Sequence, residues 1–257
     1  MKILVIAPFV MDAESLARRE AQVSINSASS SMQFEFRSLE FGPKEYDSHL
    51  DWLIAEAGVV KAGMNAQVDG YDGICVDSLS DSGVNALRSI VNIPVVGAGQ
   101  TSYLMAQMMG RRFGIVTQWD PWCEIYERGL AEYGLRDKCA SIRSINVKPD
   151  VRALLSNKAD QVIPLLVAAA QACIGDGADV ILLGSTTMHE AYETLRTELA
   201  VPVVNPGPTS YEVLRSLIEL AQSHSRGVFE RAGEAAITTM SSLSVTRDQP
   251  ASEIVIN

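Results

Sequence analysis

The chain has 257 residues, of which 31 are acidic and 21 are basic, so its formal net charge at pH 7 is −10. Hydrophobic residues make up 47% and charged residues 20%, a balance that is typical of a folded globular protein and excludes a disordered one. The net acidity argues against nucleic acid or a membrane surface as a partner, because both require a positively charged face.

Short β-branched runs alternate with longer helical patterns along the chain. Eight strands are predicted, at Lys2–Ala7, Phe34–Leu39, Gly73–Asp77, Pro94–Val96, Arg112–Thr117, Ser141–Val147, Val180–Gly184 and Pro202–Val204. The clearest helical patterns lie at Asp51–Val68, Thr101–Met109, Pro121–Tyr133, Asp160–Cys173, Met188–Leu199 and Thr209–Ala221. Strands that are apolar throughout, such as Ile3–Ile6 and Val180–Leu183, are typical of a parallel sheet covered on both faces. The alternation therefore predicts right-handed βαβ units and an α/β fold.

The two ends of the chain carry little further signal. The N-terminal sequence MKILVIAPF enters a β-like run with no cleavage-site pattern, and no apolar run reaches the roughly 18–20 residues that span a bilayer. We therefore expect a cytoplasmic protein. At the other end, the polar segment Thr238–Ser252 is predicted to be either a flexible tail or an arm that packs on a partner subunit, as in a homo-oligomer.

The cysteine and histidine residues do not form a metal-binding pattern. The four cysteines are widely spaced and never form Cys-x-x-Cys, and the three histidines are equally scattered. The chain also contains neither a Gly-x-Gly-x-x-Gly nor a P-loop motif for nucleotide phosphates. We therefore expect a protein that works without a metal or another cofactor.

An internal repeat is the most informative feature of the sequence. Residues 93–103 align with residues 201–211 at an offset of 108, and residues 72–78 align with residues 179–185 at an offset of 107. A repeated βαβ unit without functional meaning is the alternative interpretation. The repeat predicts two pseudo-symmetric, Rossmann-like parallel-sheet halves, with a site in the cleft between them. The first half is expected to contain residues 1–97 and 205–222, the second residues 98–204, and a C-terminal helix or tail residues 223–257.

The repeat also locates the predicted site. Ser78 and Ser185 directly follow equivalent strands, and ligands of parallel sheets bind at the carboxyl ends of the strands. The two serines are therefore predicted to face each other across the cleft. Backbone N–H groups of the helices that follow would point at a carboxylate or a developing oxyanion, which predicts a small anionic organic substrate.

Three segments carry a resemblance to a known family. They are residues 41–51 with Phe41-Gly42-Pro43 and Asp51, residues 71–83 with Val76-Asp77-Ser78, and residues 178–188 with Leu183-Gly184-Ser185. The sequence resembles the aspartate/glutamate/hydantoin racemase superfamily, and most closely its hydantoin and allantoin racemase branch. The resemblance implies an Asp/Glu racemase-like fold and one catalytic cysteine at each of the two turns. Serine, as Ser78 and Ser185, stands at both of these positions.

The missing thiols determine the predicted activity, because a serine hydroxyl does not act as a base without a partner. We therefore expect hydrolysis or desulfuration, and the resemblance implies a small anionic hydantoin-like or thiohydantoin ring as the substrate. In this hypothesis Asp77 activates water or Ser78, Ser185 holds the oxyanion, and His189 is the acid. The predicted substrate-binding residues are Pro8, Phe9, Leu79, Ser80, Gln118, Thr186 and Thr187.

Two alternatives remain open at this point. The first is a hydantoin or amino-acid racemase or epimerase that uses Asp77 and His189 as its two bases. The second is a non-catalytic protein that binds small anions on a racemase fold. Two neighbouring residues have simpler interpretations. Cys75 is predicted to be a core residue, and Asp81, which precedes a helix, is predicted to be its N-cap.

Overall fold

The computed structural model describes residues 1–26, 32–148 and 159–243. In this part of the chain eight strands form two four-stranded parallel sheets. The first sheet contains β1 Lys2–Ile6, β2 Gln33–Arg37, β3 Gly73–Val76 and β4 Val95–Gly97. The second contains β5 Phe113–Thr117, β6 Cys139–Ser144, β7 Val180–Leu183 and β8 Val203–Val204. Each of the eight predicted strands is present, and the largest difference between a predicted and an observed end is three residues, at β6.

The two sheets have the same strand order, β2-β1-β3-β4 in the first and β6-β5-β7-β8 in the second. All of their strand pairs are parallel. The repeat makes β3 equivalent to β7 and β4 equivalent to β8, and these strands occupy equivalent places in the two sheets. Every residue of β3 and β7 is buried, as expected for strands covered on both faces. The predicted α/β fold of two related parallel sheets is confirmed.

Helices cover both sheets. They are α1 Ala13–Asn26, α2 His49–Gly63, α3 Val84–Arg88, α4 Ala98–Met109, α5 Cys123–Glu132, α6 Ala159–Gly175, α7 His189–Glu198, α8 Pro206–Glu219 and α9 Glu234–Ser242. Helix α8 follows the last strand of the second sheet but packs on β3 and β4 of the first sheet. None of the helices in the described ranges has the length and apolar character that crossing a bilayer requires.

Residues Thr238–Ser242, predicted to belong to a flexible tail or an arm, are helical in the structure. These residues belong to α9, which packs on α2 of the same chain rather than forming a flexible tail. Lys61 Nζ donates a hydrogen bond to the Ser241 carbonyl, and Ser241 Oγ donates to Met64 Sδ at 3.9 Å. These contacts stabilise the helix against α2. The rest of the predicted tail, from residue 244 onwards, lies outside the described residues.

The turns that follow β3 and β7 are brought together by this arrangement. Residues 77–82 follow β3, and residues 184–188 follow β7, at the carboxyl ends of the two sheets. As predicted, Cys75 lies inside β3 in the core, with its Sγ 3.3 Å from Ser210 Oγ, and burial raises the pKa of its thiol. Side chains of these two turns, and not those of β3 and β7, therefore lie between the sheets.

Candidate functional site

A cleft lies where the carboxyl ends of the two sheets meet. Its volume, open solvent included, is about 370 Å³. We call this space the central cleft. It is lined by Phe9, Arg19, Tyr46, Asp77, Ser78, Leu79, Trp122, Ile125, Tyr126, Gly184, Ser185, Thr186 and Thr187.

The two serines sit in closely similar turns on the two sides of the central cleft. Ser78 Oγ accepts a hydrogen bond from the Ser80 N–H at 3.2 Å and lies 2.9 Å from Ser80 Oγ. Ser185 Oγ accepts from the Thr187 N–H at 3.2 Å and lies 2.8 Å from Thr187 Oγ1. Short polar side chains favour this local turn because they satisfy a backbone donor two residues further on. The sequence repeat is therefore a repeat of side-chain geometry as well.

A row of hydroxyl groups leads from Ser78 away from the central cleft. Ser80 Oγ lies 2.9 Å from Ser82 Oγ, and Tyr46 OH lies 3.2 Å from Ser80 Oγ and 3.3 Å from Ser82 Oγ. Burial raises the pKa of Tyr46, so its hydroxyl stays protonated. All partners of the Ser78 side chain in the described structure are hydroxyl or N–H groups. Ser78 consequently has no neighbouring base to take its proton.

Arg19 of α1 connects the two turns. Its Nη1 donates to Asp77 Oδ2 and to Thr186 Oγ1, both at 2.8 Å, and Thr186 Oγ1 donates to the Asp77 carbonyl at 3.4 Å. Arg19 is 2% exposed and Asp77 is 3% exposed, so this is a buried ion pair. The Asp77 carboxylate thus bonds to Arg19 and not to Ser78, which is the partner that the sequence suggested for it.

His189 begins α7 close to this ion pair but is not a lining residue of the central cleft. Burial lowers the pKa of its imidazole, and the charge of Arg19 lowers it further, while the charge of Asp77 acts in the opposite direction. The ring is therefore neutral at pH 7. Its Nδ1 is buried without a hydrogen-bond partner in the described structure, so this nitrogen is free to accept or donate a proton.

Aromatic side chains form the remaining wall of the central cleft. The rings of Phe9 and Tyr46 are 4.8 Å apart, and Trp122 Nε1 donates to the Tyr46 carbonyl at 3.2 Å. Tyr126 OH donates to the Gly184 carbonyl at 2.5 Å and lies 2.8 Å from Thr117 Oγ1. Tyr126 therefore holds the turn that carries Ser185 in place. Trp122, directly before α5, is hydrogen-bonded to the loop that contains Tyr46.

Seven of the predicted site residues line the central cleft: Phe9, Asp77, Ser78, Leu79, Ser185, Thr186 and Thr187. Four predicted residues do not, namely Pro8, Ser80, Gln118 and His189. Pro8 is buried beside Phe9. Gln118 is also buried, and its backbone carbonyl accepts a hydrogen bond from the Val147 N–H at 2.7 Å. Ser80 faces a second cavity. The sequence reasoning missed Arg19, Tyr46, Trp122, Ile125, Tyr126 and Gly184.

The second cavity adjoins the hydroxyl row. It is lined by Trp52, Glu56, Ser80, Asp81, Ser82, Gly83, Asn85, Ala86, Ile125, Arg128, Gly129, Glu132 and Tyr133. The prediction that Asp81 caps the helix after it is wrong. The left-handed backbone at Asp81 (φ 49°) turns its carboxylate to the start of α4, where it accepts from the N–H groups of Gly99 and Gln100 at 2.8 and 2.6 Å. Burial raises the pKa of Asp81 to about 6.

No metal-binding cluster is found in the described ranges. Among residues 1–26, 32–148 and 159–243, no three His, Cys, Asp or Glu side chains lie together in a way that could hold a metal ion. The side chains that line the central cleft carry one carboxylate, one guanidinium, several hydroxyls and aromatic rings. Such a set can bind a small polar ring and can move a proton.

Comparison with known proteins gives a consistent result. Residues 13–224 match the sequence family described as Asp/Glu/Hydantoin racemase. A hydantoin racemase of Pseudomonas sp. (strain NS671) is 27% identical over 229 residues, covering 88% of this chain and 89% of that protein. A hydantoin racemase of Rhizobium meliloti is 23% identical over 176 residues, covering 68% of this chain and 72% of that protein. The solved structure of allantoin racemase from Klebsiella pneumoniae is similar with a TM-score of 0.82 and 24% identity, covering 91% and 94% of the two chains.

These relatives overturn one expectation from the sequence. Racemases are isomerases, whereas the missing thiols had suggested a hydrolase or lyase that opens or desulfurates the ring. That expectation is wrong. It took Ser78 and Ser185, which stand where the resemblance implies cysteines, as the sign of a different reaction, whereas the match to a racemase family extends over residues 13–224.

Proposed function

The chain belongs to the Asp/Glu/hydantoin racemase family, and from this relationship we propose that it is a racemase or epimerase that moves the proton at one carbon of a small hydantoin-like ring. The observation that carries the proposal is the convergence of two equivalent turns, after β3 and β7, on one cleft. Racemisation removes a proton from one face of a carbon atom and returns it to the other face. Turns related by pseudo-symmetry offer groups to both faces of a ring bound between them.

The ring preference is supported by the relatives and by the shape of the central cleft. The Pseudomonas and Rhizobium relatives are hydantoin racemases. A hydantoin is a planar five-membered ring with two carbonyls and two N–H groups. The aromatic wall of Phe9, Tyr46 and Trp122 suits the face of such a ring, and the hydroxyls of the two turns suit its polar edge.

Ser78 and Ser185 stand where the family resemblance implies thiols, so we propose a thiol-free reaction. Cys75 does not substitute for them because it is buried in the core and its pKa is raised. The hydroxyls of Ser78 and Ser185 bond to other hydroxyls and to backbone N–H groups. We assign them to holding the ring, since neither has a base beside it.

The proton-moving groups in this proposal are Asp77 and His189. Asp77 lines the central cleft and uses Oδ2 for Arg19, which leaves Oδ1 without a hydrogen bond in the described structure. His189 lies next to the ion pair with a neutral ring and an unpartnered Nδ1. Because His189 is outside the lining of the central cleft, it would reach the substrate through a bound water molecule.

Optical rotation of an enantiopure 5-substituted hydantoin tests this proposal. We expect the wild-type protein to abolish the rotation without forming a ring-opened product, and Asp77→Asn to reduce the rate by at least about 100-fold. Asp72→Asn is the matched control, because Asp72 precedes the opposite end of β3 and accepts from the Lys2 N–H at 2.7 Å. Full activity of Asp77→Asn would contradict the assignment of the base. Tight binding of hydantoins without any racemisation would favour the non-catalytic anion-binding protein.

A further inference from the structure

Arg19 has hydrogen-bonding capacity that the protein does not use. A guanidinium carries five N–H donors. In the described structure Arg19 makes two hydrogen bonds, both from Nη1, and its Nε is buried without a partner. Arginine is rarely this deeply buried unless its charge and donors are matched. Asp77 balances the charge, but the donors on the Nε side of the group remain unmatched.

The other groups of the central cleft do not supply the missing acceptor. Arg19 and Asp77 are the charged residues among its lining side chains, and the rest are hydroxyl-bearing, aromatic or aliphatic. The hydroxyl of Thr186 already accepts from Arg19 Nη1. The unused Nε–H and the adjacent Nη2 form the edge of a guanidinium that matches the two oxygens of a carboxylate.

From this geometry we infer that Arg19 is a substrate-binding residue that makes the central cleft selective for rings carrying a carboxylate. If the proposed racemase function holds, its substrate class is hydantoins with an acidic side chain at the stereocentre. The carboxylate would take the free edge of Arg19, and the carbon next to it would lie beside Asp77, which Arg19 Nη1 holds in place. The preference for an anionic ligand rests on Arg19 alone and does not require turnover.

Calorimetric titration with two matched ligands tests the inference. Hydantoin-5-acetate carries a carboxylate, and hydantoin-5-acetamide has nearly the same shape without the charge. We expect the wild-type protein to bind the acetate about 10-fold to 100-fold more tightly, since a hydrogen bond to a charged group contributes about 1.5–3 kcal/mol. In Arg19→Gln this ratio should fall to one or below, because the Asp77 carboxylate that remains repels the acetate. Arg18→Gln is the matched control on the same helix, because Arg18 pairs with Glu14 at the surface and does not line the central cleft.

Two further variants keep the test decisive. Arg19→Gln leaves Asp77 as an unpaired buried charge, so the double variant Arg19→Gln/Asp77→Asn provides a neutral cleft in case the single variant does not fold. It should bind the two ligands equally. Asp77→Asn alone keeps Arg19 and removes a repulsive carboxylate, so its preference for the acetate should increase.

The possible outcomes separate the inference from the proposed function. Equal binding of the two ligands by the wild-type protein, binding of neither, or an unchanged ratio in the Arg19 variants would overturn the inference. Racemisation of neutral hydantoins without any preference for binding the acetate would also overturn the inference, but it would support the proposed function. An Arg19-dependent preference without racemisation would support the inference and overturn the proposed function.

Discussion

Breaking the ion pair between Arg19 and Asp77 should be costly to the fold. Both side chains are almost fully buried and their atoms Nη1 and Oδ2 are 2.8 Å apart. Removing one partner of a buried pair leaves an uncompensated charge, which costs about 3–5 kcal/mol. Arg19→Met should therefore lower the free energy of unfolding by about this amount. For a chain of this size that corresponds to a fall in Tm of roughly 6–20 °C.

A double-mutant cycle measures the pair itself. Urea unfolding at pH 7 would be followed by circular dichroism for the wild type, Arg19→Met, Asp77→Asn and the double variant. Because the double variant buries no unpaired charge, it should be destabilised by at least about 1–2 kcal/mol less than the sum of the two single variants. Strict additivity of the single effects would refute the reasoning, since it would mean that the two charges do not interact in the folded protein.

Three other residues give predictions of the same kind. Burial raises the pKa of Asp81 to about 6, above its unfolded value, so the folded state favours the protonated acid. Wild-type stability should therefore decrease relative to that of Asp81→Asn by about 2 kcal/mol as the pH rises from 4 to 7, as measured by urea unfolding. A Cβ at Gly99 would lie 2.5 Å from the Leu79 carbonyl oxygen, so Gly99→Ala should lower the free energy of unfolding by about 1–3 kcal/mol in thermal unfolding. Gly175→Ala is the control, because the space around Gly175 is open and the substitution should not destabilise the protein. Tyr46→Phe removes two hydrogen bonds from the hydroxyl row and should cost about 1–2 kcal/mol, and a variant as stable as the wild type would show that the row contributes little.

The sequence predicts the fold and half of the site because both depend on local pattern. Apolar runs predicted the positions of the strands. The repeat predicted that β3 and β7 occupy equivalent places in the two sheets, and the common strand order confirms this. Since parallel strands carry their ligands at the carboxyl ends, the repeat also located the turns of Ser78 and Ser185. Both turns line the central cleft.

The residues that were missed reach the central cleft through long-range packing. Arg19 lies 58 positions before Asp77 and 167 before Thr186, and nothing in the pattern of α1 distinguishes it from the exposed Arg18 beside it. Tyr126 lies in α5, whose amphipathic pattern indicates burial but not the surface it faces, and Trp122 directly precedes that helix. Asp81 was assigned to the wrong helix because its left-handed backbone, invisible in the sequence, turns the carboxylate towards α4.

The central claim is that this chain isomerises a hydantoin-like ring without a thiol. The most direct test is proton NMR of an enantiopure 5-substituted hydantoin in D2O with a variant in which all four cysteines are replaced by alanine or serine. The account predicts that the signal of the ring C5 proton disappears as the compound racemises, at a rate close to that of the wild type. Loss of this exchange on removal of the cysteines, or a ring-opened product without exchange, would contradict it.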